Sequence, residues 1–372
     1  MERNKLLVIM HSNNLVYGAG KSLLYWINEA NVSFDLVYPK SLIGKNDKDI
    51  FIREMHGLEN IYCEWIPFSR CYLGKNGASI KGIVYQHLNN IMFYLNRKKI
   101  KKIIEKYDKI YLNSLVLWQL IRSEKNFYIH IREIFDGSYQ LYEKISRNLE
   151  KTQGQIFIDY STYEKFKDIK GSKIILNNPF NMKILKHISV DMVLKKIGLG
   201  KNKTVFSVIG MIYETKGVKF IIESFLETQI EAYLLIVGKI RGTYAKECIK
   251  LAKNNCNVIF LGEIKEIEEI YAISDYIIRG EPCFCIGRTI YEGLYSGCDV
   301  IVPGKQEDIQ HYKDIFDIQE NIHFYEARNK KSLIEQITNL KKIIKSERHF
   351  RSNIESYTKK IKKFMELDCE KE

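Results

Sequence analysis

Short apolar segments alternate with longer amphipathic stretches along the whole chain. The apolar segments are rich in Ile, Val, Leu and aromatic residues without strict alternation, which is typical of strands buried on both faces. Strands are predicted at Lys5–Met10, Phe34–Tyr38, Asn60–Ile66, Lys109–Leu112, Phe127–Ile131, Gln155–Ile158, Lys173–Leu176, Thr204–Ile209, Tyr233–Val237, Asn257–Leu261, Tyr276–Ile278 and Asp299–Val302. Helices are predicted between them, for example at Lys21–Glu29, Gly217–Glu227, Tyr244–Lys253 and Thr289–Ser296. Because alternating strands and helices need crossover connections, we expect an α/β fold with parallel sheets.

The strand–helix pattern starts again near residue 204, after the turn sequence Asn177-Asn-Pro-Phe180 and a polar segment. We therefore expect one doubly wound, Rossmann-like domain over residues 1–183 and a second over 184–344. The charged stretch 345–372 predicts a helix that returns to the first domain. In this fold class ligands bind at the carboxyl ends of the strands, so the expected site is a cleft that both domains face.

Length and composition exclude several classes of protein. The 372 residues suit two domains of about 150–200 residues each. A hydrophobic share of 45% with 5 prolines excludes disordered and collagen-like chains. No stretch approaches the roughly 18 apolar residues of a membrane span, and the apolar segment Lys5–Met10 is too short for a signal peptide, so a cytoplasmic protein is expected. The eight cysteines form no Cys-x-x-Cys pair, which predicts buried, reduced thiols.

The formal net charge of +13 favours anionic partners, which include nucleic acid, anionic lipid and phosphorylated small molecules. Positive charge is most concentrated in Lys81–Lys109, where apolar residues Ile91–Leu95 lie beside the lysines. A basic amphipathic helix of this kind suits an anionic membrane surface; the alternative is a solvated helix face.

A glycine-rich loop follows the first strand. Gly20-Lys21-Ser22 resembles a triphosphate-binding loop, but Leu15 stands where that loop needs its first glycine. Leu23 likewise replaces the third glycine of a dinucleotide fingerprint. Two interpretations remain for Gly18 and Gly20: an anion site at a helix N-terminus, or a tight strand-to-helix turn.

The second half of the chain carries a more specific arrangement. Lys216 comes just past the strand that ends at Ile209. Further on, Gly287 permits close backbone approach, and Thr289 is expected to cap the next helix. Glu292, one turn inside that helix, is placed to accept hydrogen bonds from vicinal hydroxyls. Free amides at the helix start suit a diphosphate.

In their order along the chain, these motifs resemble those of GT-B glycosyltransferases of the family-4 type, similar to bacterial enzymes that build cell-surface polysaccharides. The matching stretches are Tyr17-Gly-Ala-Gly-Lys-Ser-Leu23, Asn113-Ser114, His130-Ile-Arg132-Glu133, Asn177-Asn-Pro-Phe180, Gly210 to Lys216-Gly217, Val237-Gly238, Val258-Ile-Phe-Leu-Gly262 and Gly287-Arg-Thr-Ile-Tyr-Glu292-Gly293. They span nearly the whole chain.

The resemblance implies that Lys216 holds the donor diphosphate and that Glu292 binds the donor ribose. The chain departs from the family at two positions: the first family glutamate falls on Phe284, with Glu281 three residues upstream, and the family arginine is Met211. We hypothesise that Arg288 or Arg279 supplies the missing cation. The full set of candidate donor-binding residues is Gly18, Gly20, Gly210, Lys216, Gly262, Glu281, Phe284, Gly287, Arg288, Thr289 and Glu292.

His130 lies at the carboxyl end of a predicted strand of the first domain and is therefore expected on the cleft rim. By resemblance it contacts the transferred sugar and joins Lys216 and Glu292 as a catalytic candidate; the alternative is a structural histidine. Arg132 and Glu133 are expected either to form a local ion pair or to help bind the acceptor. The candidate acceptor-binding residues are His11, Asn113, Arg132 and Glu133.

The resemblance implies transfer of a sugar from a UDP- or GDP-sugar donor to a glycan or lipid-linked acceptor, with retention of configuration. It implies neither a metal nor a cofactor, and a location at the inner membrane face fits the basic segment. Two alternatives stay open: a nucleotide-sugar epimerase on the same fold, and a nucleic-acid-binding protein. No recognition helix, zinc spacing or aromatic RNA motif supports a specific nucleic-acid partner.

Overall fold

The computed structural model describes residues 5–12, 18–40, 54–68, 80–135, 137–180, 188–285, 287–312, 321–343 and 352–367. The chain divides into two compact units, residues 1–180 with 352–372 and residues 181–351. The sequence predicted these boundaries at 183/184, three residues after the first, and at 344/345, seven residues before the second.

Among the described residues, the first unit contains a seven-stranded sheet in which every pair of neighbours is parallel. Its order is β3-β2-β1-β4-β5-β6-β7. The strands are β1 Leu6–Ile9, β2 Phe34–Pro39, β3 Leu58–Glu64, β4 Lys109–Leu112, β5 Asn126–Ile131, β6 Gly154–Phe157 and β7 Ser172–Ile175. Strand order reverses between β1 and β4, so the chain segments that leave β1, β4 and β5 emerge side by side at one edge of the sheet.

Helices cover the sheet of the first unit: α1 Gly18–Ala30, α2 Ile80–Ile104, α3 Tyr139–Leu149 and α4 Tyr160–Glu164, with a 3-10 helix at Leu115–Leu120. α1 is amphipathic and buries Leu23, Trp26 and Ile27 against the sheet. α3 is capped by Ser138, whose hydroxyl accepts a hydrogen bond from the Leu141 amide.

In the second unit, the described residues contain a six-stranded parallel sheet of order β10-β9-β8-β11-β12-β13. Its strands are β8 Thr204–Ile209, β9 Ala232–Val237, β10 Val258–Gly262, β11 Tyr276–Ile278, β12 Asp299–Pro303 and β13 Ile322–Tyr325. Its helices are α5 Val190–Ile197, α6 Val218–Thr228, α7 Gly242–Ala252, α8 Ile267–Ile273, α9 Arg288–Tyr295 and α10 Lys330–Asn339, with 3-10 helices at Glu214–Lys216 and Gln306–Tyr312. β8 and β11 are neighbours, which decides where the site forms.

The last described helix, α11 (Ile354–Phe364), belongs to the first unit. Tyr357 and Ile361 are buried in the same apolar cluster as the inner face of α1. Just before the helix, the Asn353 side chain accepts a hydrogen bond of 2.8 Å from the Phe180 amide. The helix α11 therefore packs against α1, and Asn353 holds the end of the segment that follows β7 by a hydrogen bond.

The predicted α/β fold with parallel sheets is confirmed. The predicted strands are found with boundaries shifted by at most two residues, but β13 was missed, because this edge strand has only four residues and one of them is a histidine. Its His323 ring bonds Asp299 at 2.8 Å, so this position gives no apolar signal. No helix within the described ranges combines the length and apolarity needed to cross a bilayer.

The six described cysteines, 63, 248, 256, 283, 285 and 298, are free thiols. Two of them, Cys248 and Cys298, are buried as expected. The expectation is wrong for Cys63, Cys283 and Cys285, which are half-buried, and for Cys256, which is exposed because it lies in the turn between α7 and β10. Cys71 and Cys369 lie outside the described residues.

Candidate active site

Lys216 and Glu281 meet at the carboxyl edge of the second sheet. Lys216 ends a short 3-10 turn after β8, and Glu281 lies three residues past the end of β11. Since β8 and β11 are neighbours in the sheet, the two segments emerge together, and Lys216 Nζ donates to Glu281 Oε1 at 2.9 Å. The lysine side chain is 45% exposed, whereas the carboxylate is buried.

Arg279 neutralises the buried side of Glu281. It directly follows β11, and its Nε donates to Glu281 Oε2 at 2.9 Å while a terminal nitrogen donates to Oε1. Burial raises the pKa of Glu281, but the charges of Arg279 and Lys216 outweigh burial and lower it to about 2. Glu281 is therefore a carboxylate shared by two cations.

The loops that follow neighbouring strands approach each other so closely at two glycines that a side chain would not fit there. A Cβ on Gly217, where φ is +61°, would lie 1.9 Å from the Gly280 carbonyl oxygen. A Cβ on Gly238 would lie 1.8 Å from the Gly210 carbonyl oxygen. Gly238 in turn donates its amide to the Gly262 carbonyl at 2.7 Å. The candidate glycines 210 and 262 thus lie in one row of loops at the carboxyl edge of the sheet.

Glu292 is held at both carboxylate oxygens. Oε1 accepts from Arg288 at 2.7 Å, and Oε2 accepts from the Tyr271 hydroxyl at 2.7 Å. Tyr271 is fully buried in α8; burial and the Glu292 charge raise its pKa well above the ordinary value, so the phenol keeps the proton that it donates. Sequence reasoning missed Tyr271, whose role depends on a contact between α8 and α9.

Several donor-site expectations need correction. Thr289 does not cap α9: Gly287 is the N-cap residue and makes no side-chain cap bond, while the Thr289 hydroxyl accepts from the Arg279 guanidinium. Arg279 is buried and bonded within the chain, so it does not stand open to a diphosphate. Phe284 is also mostly buried, with its ring centroid 5.7 Å from that of Phe324.

The acceptor candidates of the first unit also come together, around Arg132. Its guanidinium donates to Asn113 Oδ1 at 3.1 Å, to Asn178 Oδ1 at 2.6 Å and to His130 Nδ1 at 3.0 Å. All three acceptors are neutral, so the expected ion pair with Glu133 does not form. The Glu133 carboxylate instead accepts from the Arg132 and Leu115 amides at 3.1 and 3.0 Å and from the Ser114 hydroxyl.

His130 is fully buried, so its expected place on a rim is wrong. Its Nδ1 accepts from Arg132 and also lies 2.7 Å from the Tyr111 hydroxyl, which assigns the ring proton to Nε2. Nε2 is buried and has no hydrogen-bond partner among the described residues. Burial and the Arg132 charge lower the pKa of His130 well below its ordinary value, and the ring is neutral.

The remaining candidates of the first unit lie at the same strand ends. His11 follows β1, and burial together with the Arg132 charge lowers its pKa against the opposing charge of Glu133. Gly18 begins α1 with φ of +31° and Gly20 is buried in its first turn, where the Ala19 carbonyl accepts from Asn113 at 3.1 Å. Gly18 and Gly20 thus belong to the first unit, whereas the other donor candidates belong to the second. Within the described residues no group of three or more His, Cys, Asp or Glu side chains is arranged to hold a metal ion.

Comparison with known proteins gives a family match over part of the chain and a shared fold over nearly all of it. Residues 191–361 match the family described as "Glycosyl transferases group 1". No curated protein matches the chain significantly by sequence. Among solved structures, Anabaena HepE in complex with UDP and glucose has a TM-score of 0.68 at 14% identity, covering 98% of this chain and 96% of that one. WaaG, a glycosyltransferase involved in lipopolysaccharide biosynthesis, has a TM-score of 0.62 at 12% identity, covering 98% and 96%.

A third structure is S. aureus TarM in complex with fondaparinux, alpha-GlcNAc-glycerol and UDP, with a TM-score of 0.62 at 12% identity over 99% of this chain and 97% of that one. The two parallel α/β units, together with the similarity to these solved structures, define a GT-B fold. Over residues 191–361 the chain matches the group 1 glycosyltransferase family, and the resemblance to GT-B glycosyltransferases is confirmed.

Proposed function

We propose that the protein transfers a sugar from a UDP- or GDP-sugar to a glycan or lipid-linked acceptor during synthesis of a cell-surface polysaccharide. One observation carries the proposal: a continuous set of bonds ties Lys216 to the start of α9. The bonds run from Lys216 to Glu281, from Glu281 to Arg279 and from Arg279 to Thr289. Glu292 lies one turn further along the same helix. This set lies within the segment that matches the group 1 family.

Each part fits one portion of a nucleoside diphosphate. The Lys216 ammonium and the amides at the start of α9 stabilise the negative charge that develops on the departing diphosphate. The Glu292 carboxylate, held by Arg288 and Tyr271, keeps lone pairs for the ribose hydroxyls. HepE and TarM were crystallised with UDP, which favours a uridine donor here as well.

The acceptor is assigned to the first unit, at the ends of β1, β4 and β5. There the Arg132 guanidinium donates only to neutral acceptors among the described residues. One of these acceptors, Asn113, also donates to the Ala19 carbonyl in the glycine-containing first turn of α1. Cation and helix start together suit the phosphate of a lipid-linked acceptor. His130, buried behind Arg132, is assigned a positioning role toward that guanidinium.

A thermal-shift screen tests donor binding, because a ligand that binds only the native state raises the melting temperature. With EDTA present, UDP, GDP and their sugars are each added to the wild type and to Lys216→Ala and Glu292→Ala. We expect a shift with one nucleotide that both variants lose. Lys201→Ala and Asp191→Ala are matched controls, since that exposed pair (2.6 Å) precedes β8 and lies away from the carboxyl edge. No shift with any nucleotide would overturn the proposal.

The same preparation tests the chemistry. With acceptor supplied, we expect transfer with retention at the anomeric carbon, read by NMR of the product, and unchanged activity in EDTA. Incubation with nucleotide sugar alone separates a transferase from an epimerase, because an epimerase changes the donor without an acceptor. Weak, steeply salt-dependent DNA binding would remain a consequence of net charge alone.

A contact with the inner membrane face is part of the proposal, and α2 supports it. Four apolar side chains, Val84, Leu88, Ile91 and Leu95, follow one face of this helix at helical spacing and are 41–69% exposed. The same face continues into exposed Lys98 and Lys102. Exposed apolar turns beside lysines fit the acyl boundary and headgroups of an anionic bilayer.

Vesicle sedimentation tests this contact. We expect binding to vesicles containing phosphatidylglycerol and little binding to phosphatidylcholine alone. The double variant Leu88→Ser/Ile91→Ser should lose binding, while Val190→Ser/Met192→Ser removes a comparable exposed apolar pair elsewhere and should retain it. Equal binding to both vesicle types, or equal loss in both variants, would exclude α2 as the contact.

A further inference from the structure

Arg279 is the most highly connected side chain of the second unit's site, yet it is buried. Its guanidinium bonds both oxygens of Glu281 and the hydroxyl of Thr289 in the first turn of α9. Its carbonyl accepts from the Tyr325 hydroxyl at 2.8 Å, and its amide donates to the Ile301 carbonyl at 2.9 Å. The backbone is therefore fixed by two further strands of the sheet.

The guanidinium also lies directly beneath the start of α9. A Cβ on Gly287 would lie 2.3 Å from an Arg279 terminal nitrogen, so the planar group fills the space under the N-cap residue. Arginine suits this place because its planar fork donates several bonds in fixed directions. One side chain thus touches the helix start that faces the diphosphate and the carboxylate that holds Lys216.

Glu281 limits the freedom of Lys216. The loop after β8 supplies no other cation, because Met211 stands at the other position where the family has a charge. A half-exposed lysine has many rotamers, and ordering it during binding costs entropy. The 2.9 Å bond to a buried carboxylate selects a subset of those rotamers before a ligand arrives.

The summed charge of Lys216, Arg279 and Glu281 still favours binding of an anion. Two cations and one carboxylate carry a net charge of +1, so Glu281 does not cancel the attraction for phosphate. Arg279 compensates the cost of burying Glu281, and Lys216 keeps its exposed side toward solvent.

We propose that Arg279 and Glu281 are positioning residues of the diphosphate site: Glu281 orients Lys216, and Arg279 fixes Glu281 and the first turn of α9, neither touching the donor. This assignment rests on the proposed function for the identity of the ligand. It differs from a role as substitute diphosphate cation or as substitute sugar-binding glutamate.

A double-mutant cycle on UDP affinity, measured by calorimetry, tests the link from Glu281 to Lys216. We expect Glu281→Gln to weaken UDP binding about fivefold or more, and to change it less than about twofold when Lys216→Ala is already present, since residues that act together are not additive. Asp191→Ala is the charge-matched control and should not alter the affinity in either background.

The outcomes separate three explanations. Tighter or unchanged binding in Glu281→Gln means that the carboxylate only repels the ligand, and the inference is wrong. An equal loss with and without Lys216 means a general structural effect, and the inference is again wrong. A wild type that binds neither UDP nor GDP overturns the proposed function itself, which the thermal-shift screen detects separately.

Two further variants keep the test decisive if Glu281→Gln does not fold. Glu281→Asp retains the charge but is one methylene shorter, so it reaches Arg279 or Lys216 but not both, and it should weaken UDP binding through the same cycle. Thr289→Val removes the acceptor of Arg279 on α9 without changing its shape. The loss of UDP affinity in Thr289→Val should add to the loss in Lys216→Ala, because Thr289→Val acts on the start of α9. Complete non-additivity of the two losses would contradict the role of Arg279 in fixing the first turn of α9.

Discussion

The Tyr271 hydroxyl donates a hydrogen bond of 2.7 Å to one carboxylate oxygen of Glu292, while Arg288 holds the other. The ring of Tyr271 is fully buried in α8, so a rigid phenol fixes the rotamer of a carboxylate on the neighbouring helix. Glu292 is thus set in place before a ligand binds, and under the proposed function this lowers the entropy cost of binding the two ribose hydroxyls.

Tyr271→Phe should weaken UDP binding by about tenfold, because a hydrogen bond to a charged group contributes about 1.5–3 kcal/mol, part of which the remaining Arg288 contact retains. Calorimetric titration measures the change. Tyr276→Phe is the control: that hydroxyl bonds the Lys341 carbonyl at 2.6 Å, away from Glu292. A similar loss of affinity in both variants would indicate general destabilisation and remove the assigned role of Tyr271.

Gly287→Ala should destabilise the second unit by about 1–3 kcal/mol, since the new methyl group meets the guanidinium of buried Arg279 and overpacks the site. UDP affinity should fall with it, because the first turn of α9 must move. Urea unfolding and calorimetry measure the two effects. Gly200→Ala is the control, where the nearest atom, the Tyr233 hydroxyl oxygen, is 3.4 Å from the added Cβ; a wild-type-like Gly287→Ala would contradict the packing.

The acid limb of the stability curve should depend on Glu281. Its pKa is lowered from 4.5 to about 2 in the folded protein, so the unfolded chain binds more protons in this range. The contribution is present above pH 4.5 and is lost as pH falls from 4.5 through 2. In Glu281→Gln the free energy of unfolding should be lower at pH 7 and should fall less steeply over that window. An acid limb identical to that of the wild type would exclude Glu281 as its source.

His130 should give stability a second pH dependence. Burial and Arg132 lower its pKa well below 6.5, so the folded state holds the ring neutral while the unfolded state takes up a proton. The free energy of unfolding should therefore decrease as pH falls below about 6.5. Denaturant unfolding between pH 7.5 and 5 of wild type and His130→Gln measures it. His323→Gln is the comparison; a slope that His323→Gln removes and His130→Gln leaves intact would assign the effect elsewhere.

Much of the site was predictable where chemistry follows directly from chain order. The places of Lys216 after one strand and of Glu292 one turn into a helix were predicted because each lies at a fixed offset from an element with a clear pattern, whereas their roles came from the family resemblance and stay proposals. Tyr271 and Arg279 were not given their observed roles. Tyr271 precedes Glu292 by 21 positions, and a lone tyrosine in an apolar helix has no local feature that distinguishes a ligand-positioning group from a core residue.

Periodicity and turn chemistry are local properties of the chain, so they suffice to predict the alternation of buried strands and amphipathic helices and hence two parallel α/β units. Which charges are paired depends instead on the folded arrangement of the strands. The tertiary structure placed β11 beside β8, which joined Glu281 to both Arg279 and Lys216, and it turned His130 into the interior behind Arg132. Which charged residues pair depends on strand order and on burial, and neither can be predicted from the spacing of those residues along the chain.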